Sequence, residues 1–105
     1  MELKYNANID NAAIVSNLKR IINQIYKLLP NREEGVDWEK PLSTLLEEIA
    51  GMDSLLVDHH ETIFPLMCKL EGLFTLTEYD DFQLFRRTVF ECLNLVNKII
   101  QDVRD

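Results

Sequence analysis

The chain has 105 residues, 47% of them hydrophobic, and a formal net charge of -7. That length holds a single domain with a modest core, and the abundance of Leu and Ile sets it apart from disordered chains of similar charge. No apolar run approaches the roughly 18 residues of a membrane-spanning helix. The opening MELKYNANID lacks the charged-then-apolar pattern of an export signal. The two cysteines therefore read as reduced thiols. The expectation is a cytoplasmic protein, of a bacterium or, if viral, of the host cell, with no membrane partner.

Charge is unevenly distributed. Residues 1–32 carry +3, residues 33–81 carry -11 and residues 82–105 carry +1. An acidic middle disfavours direct binding to a polyphosphate backbone. It suits a solvated face, a basic partner, or imitation of an acidic ligand.

Residues 2–9 alternate, with Leu3, Tyr5, Ala7 and Ile9 on one side of an extended strand. We read residues 1–10 as an extended N-terminal arm and 11–105 as one helical-bundle domain. A lone strand in a helical domain has no partner in its own chain, so its backbone pairs with a second arm or a foreign sheet edge, or it is a frayed end in water.

From Asp10 the period changes to that of a helix. Ile14, Leu18, Ile21, Ile25 and Leu28 form an apolar stripe over residues 11–29, and Pro30 is expected to stop it. The second helix covers about 38–57, with Trp38, Leu42, Leu45, Ile49, Met52 and Leu56 in register. Asp37 is a candidate cap, with Pro41 in the first turn, where a missing amide does least harm; a start near Lys40 with Pro41 at the first position fits equally, and Thr44 with Glu47 also has a capping-box spacing. The stripe continues through Gly51, which either breaks the helix or permits a close crossing.

The third helix covers about 62–75, capped by Asp58 or Thr62, with a stripe of Ile63, Met67, Leu70 and Phe74. Thr77 is read as the cap of the fourth, over about 78–103. There Phe82, Phe85, Val89, Cys92, Val96, Ile99 and Val103 make a heptad-type seam broadened by Tyr79, Leu93 and Ile100. Short connections imply antiparallel neighbours, so the fold class is all-α, an antiparallel bundle of about four helices. A fourth helix of some 26 residues would be about 39 Å long, longer than its expected partners can cover. Its C-terminal seam is thus the candidate surface for a second chain.

Catalytic and metal chemistry find little support. His59 and His60 are adjacent and point apart on a helix, and the chain has no Glu-x-x-His pair. Cys/His spacings of zinc sites, nucleophile motifs and phosphate-binding glycine loops are likewise missing. Cys68 and Cys92 lie on apolar stripes about 12 Å out of register across a hairpin turning near Leu76, too far to bridge, and read as buried thiols. Neither a cofactor nor a metal is expected.

The resulting expectation is a small acidic, non-enzymatic protein-interaction module, self-associating as a homo-oligomer. Candidate self-association residues are Leu3, Tyr5, Val96, Ile99 and Val103. Candidate partner-binding residues are Arg32, Glu33 and Glu34 at the first connector, Asp80 and Asp81 before the last helix, and Phe90, an aromatic off the main seam. The alternative is an acidic inhibitor, of phage or mobile-element type, that occupies the basic groove of a nucleic-acid enzyme. A third reading is a small metal protein or enzyme using His59 and His60.

Overall fold

Apolar residues recurring every three to four positions bury one face of each helix, and four such faces close on a common core. The structure, a computed structural model, describes residues 11–104. The arm, with Leu3 and Tyr5, lies outside the described residues. Four α-helices run up and down in turn: α1 (Asn11–Glu33), α2 (Glu39–Leu55), α3 (His60–Gly72) and α4 (Phe82–Arg104). Each packs against its sequence neighbours, and α4 returns to pack most extensively against α1, closing the ring. The bundle measures 51 × 20 × 19 Å. Among the described residues every buried side chain in the core is apolar.

The first connector is encoded locally. Gly35 has φ +74°, the left-handed conformation that favours glycine. The Gly35 amide donates to Arg32 O (3.3 Å) and the Val36 amide to Asn31 O (2.8 Å). Those two bonds are the Schellman pattern that satisfies the last carbonyls of a helix. Asp37 acts as expected: its Oδ1 accepts the Glu39 and Lys40 amides at 3.1 and 3.3 Å. Trp38 stacks on Phe74 and meets Phe85 edge-on, with centroids 6.3 and 5.1 Å apart, sealing the top of the core.

Several expectations need correction. Pro30 does not stop α1, which continues to Glu33. A proline removes one amide donor and favours an extended residue before it, yet the turn is held from beyond by the Schellman bonds and by Glu34 N donating to Pro30 O at 2.9 Å. The extra turn makes α1 and α4 equal, 23 residues each. α2 does run unbroken through Gly51, as its continuing stripe implies, but the space around the glycine is open, so it serves no close crossing. α3 begins at His60 rather than Thr62, after a 3₁₀ turn at Val57–His59.

Its buried stripe is Ile63, Leu66, Leu70 and Leu73, with Met67 and Phe74 at the edge. Cys68 is two residues from Leu70 and five from Ile63, hence on the opposite face, and is exposed. α4 starts at Phe82, after a 3₁₀ turn at Tyr79–Asp81 capped at Glu78 rather than Thr77. Three residues per turn rotate Tyr79 off the seam, and it is 93% exposed.

Candidate functional site

The seam of α4 is used up inside the bundle. Val96, Ile99 and Val103, the candidates for self-association, are buried among residues of their own chain. A heptad-type spacing describes a helix that packs against helices, and here α1, with α3, supplies the cover.

The connector residues come together only in part. Arg32, Glu33 and Asp80 line one groove of about 410 Å³ with Tyr79, Phe82 and Gln83. Glu34 is exposed and outside that lining. Arg32 belongs to the last turn of α1, not to a loop tip. Its Nε and Nη2 donate to Leu76 O at 3.1 and 2.7 Å, and Nη2 also donates to Glu78 O at 2.7 Å. The guanidinium lies 5.4 Å from the Phe82 centroid and 4.8 Å from that of Phe85. Arg32 therefore ties the end of α1 to the α3–α4 connector. Asp81 also has a structural task, since its Oδ2 accepts the Glu78 amide at 3.2 Å.

A second groove, of about 370 Å³, adjoins the first through their common residue Gln83 and runs along α4 past Arg86, Arg87, Phe90 and Asn94. Phe90 is 37% exposed and Tyr26 of α1 is 49% exposed. Their rings meet edge to face with centroids 6.2 Å apart, and the Arg86 guanidinium lies 5.3 Å from the Phe90 centroid. Phe90 thus lies off the seam as expected, and Tyr26 joins it from the neighbouring helix. Tyr26 was not singled out by the sequence. Its signal was an aromatic side chain off the Ile21–Ile25–Leu28 stripe, which shows as a site only once α4 is known to lie beside α1.

The ring also sorts charge. α1 and α4 together carry eight basic side chains against three acids, whereas α2 and α3 carry two against six. Arg20 leans from α1 to Glu48 of α2 at 3.4 Å, and Lys69 of α3 reaches Glu91 of α4 at 3.1 Å. Both pairs are exposed and contribute little each.

The histidines are separated by their environments. His60 Nδ1 is 2.9 Å from Asp53 Oδ1, and its ring packs near Phe64. His59 precedes α3 as its cap residue. Among the described residues no three His, Cys, Asp or Glu side chains gather closely enough to hold a metal ion. Burial pushes the Cys92 thiol up to about 12, with Lys69 lowering it and Glu91 raising it further. Among the described residues no helix is long and apolar enough to cross a membrane. Comparison with protein-family models, curated proteins and solved structures gives no match.

Proposed function

We propose that the chain is a small non-enzymatic protein-interaction module whose working surface is the α1–α4 face. The observation that supports this is the exposed Tyr26–Phe90 pair, flanked by arginine, at the middle of the paired helices. Aromatic residues and arginine are the side chains that most often carry binding energy at protein interfaces. The α4 seam is core and leaves no surface there for self-association.

The acid-rich α2–α3 side supports a second reading, an acidic surface that enters the basic groove of a nucleic-acid enzyme. One experiment separates the two. A photo-crosslinking amino acid is placed at Phe90 or at Glu47, on the outer side of α2, in cells that produce the protein. The first reading predicts a discrete protein adduct from position 90 and none from position 47. Adducts from position 47 alone would favour the acidic inhibitor, and no adduct from either position would remove both.

A further inference from the structure

We infer that the α1–α4 face receives a short acidic amphipathic helix, a step that rests on the reading of this face as the working surface. The outward line of α4 consists of Gln83, Arg87, Phe90, Asn94, Asn97 and Gln101, all exposed. Their alternating spacings of three and four put them on one line of a helix. The corresponding line of α1 is Ser16, Lys19, Asn23, Tyr26, Pro30 and Glu33, also exposed. In a chain with 18 acidic residues, these two lines hold a single carboxylate, Glu33, at the upper end. The composition suggests a basic partner; this face asks for an acidic one.

The cations here are available. Glu91 is four residues beyond Arg87 on α4 and its natural intrahelical partner, but Glu91 is taken by Lys69. Among the described residues no carboxylate pairs with Arg86 or Arg87. A carboxylate arriving from a partner would meet Arg87 without displacing an existing ion pair. On the other helix, Lys19 lies two turns before Tyr26 on the same line.

The length suits a short helix. From Gln83 to Asn94 the groove spans about 16 Å, three helical turns. Tyr26 lies beside this groove, against Phe90; an amphipathic helix laid between the groove and α1 would set apolar side chains one turn apart on Tyr26 and Phe90 and turn its carboxylates toward Lys19 and Arg87. Nucleic acid fits less well. The Phe90 ring already carries the Arg86 guanidinium and meets the Tyr26 ring edge to face, which narrows the platform it offers a base. Glu33, Asp80 and Glu91 also line the two grooves; they oppose a phosphate chain, charged at every residue, more than a helix that can keep its carboxylates to the Lys19 and Arg87 positions.

The test is selection from a display library of random peptides of roughly 16 residues against the whole chain, followed by amide chemical-shift mapping of the enriched sequences. The expected result is acidic, amphipathic peptides whose shifts fall on α1 and α4 around Tyr26 and Phe90. Combined Arg86→Glu and Arg87→Glu substitution should weaken them by about tenfold or more, while Lys40→Glu on α2 leaves affinity unchanged. Circular dichroism on each variant confirms that it is folded. Neutral or basic peptides bound at this face would overturn the acidic class yet leave the working surface standing. Peptides that map elsewhere, or none at all, would remove both. Two further outcomes overturn the inference: a dimer dissolved by the double substitution, which assigns the face to a second copy, and tighter binding of a single-stranded oligonucleotide than of any selected peptide.

Discussion

Replacing Arg32 by alanine removes one side chain that holds three segments together. Its guanidinium satisfies two backbone carbonyls, Leu76 O and Glu78 O, and lies against the rings of Phe82 and Phe85. A hydrogen bond from a charged donor contributes about 1.5–3 kcal/mol net, and a half-exposed cation over a ring about 0.5–1 kcal/mol. The side chain is half-buried and water can reach the freed carbonyls, so the low end applies. The expected loss for Arg32→Ala is about 2–3 kcal/mol, a large part of the roughly 5–10 kcal/mol of a domain this size. Arg32→Lys keeps the charge but not the fork and should lose about 1–2 kcal/mol. Urea unfolding followed by circular dichroism measures both, and the midpoint should fall with little change in slope. If Arg32→Ala unfolds within about 0.5 kcal/mol of the parent, the connector does not depend on this side chain and the reasoning fails.

The other predictions concern glycines and thiols. Gly51 is exposed, helical and surrounded by open space, so Gly51→Ala should stabilise by about 1 kcal/mol in the same assay. Gly35→Ala should destabilise by about 1 kcal/mol, because its φ of +74° is unfavourable for any side chain. Ellman's reagent at pH 8 should find one reactive thiol in the folded protein, exposed Cys68, and a second only after denaturant frees Cys92. Because burial raises the Cys92 thiol from 9.0 to about 12, its contribution to stability is intact below pH 9. Between pH 9 and about 12 the unfolded chain releases a proton that the folded chain keeps, so stability should fall by about 1.4 kcal/mol per pH unit. Cys92→Ala should flatten that slope, and an unchanged slope would refute the assignment.

Much of the fold is written in local spacing. Ile21, Ile25 and Leu28, or Val89, Cys92, Val96 and Ile99, announce buried faces because a helix returns every 3.6 residues. Those spacings do not say what covers the face. The α4 seam reads the same whether its cover is another chain or α1; Val103 lies beside Asn11, so the first turns of α1 cover its C-terminal part, while the turn past Pro30 caps the other end of the bundle. That turn was hidden because its support comes from Gly35 and Val36, after the proline. Asp37 was legible because a cap depends on near neighbours. Tyr79 and Cys68 were misplaced because a 3₁₀ turn and a slightly rotated stripe each move a side chain across the surface. The candidate site was least legible of all. Phe90 stood out alone, but Tyr26 is 64 residues away, and only the closing of the ring joins them.

That closing has a consequence for the connectivity of the molecule. Asn11 Nδ2 donates to Val103 O at 3.2 Å, so the start of α1 and the finish of α4 lie side by side. Each of the four helices has two neighbours, and no pair depends on chain order to meet. A short bridge from α4 to α1, with the chain reopened at the exposed Gly35–Val36 turn, would rearrange the order of synthesis while preserving the packing. Cutting there would also release the bundle's one left-handed glycine among the described residues from its conformational demand.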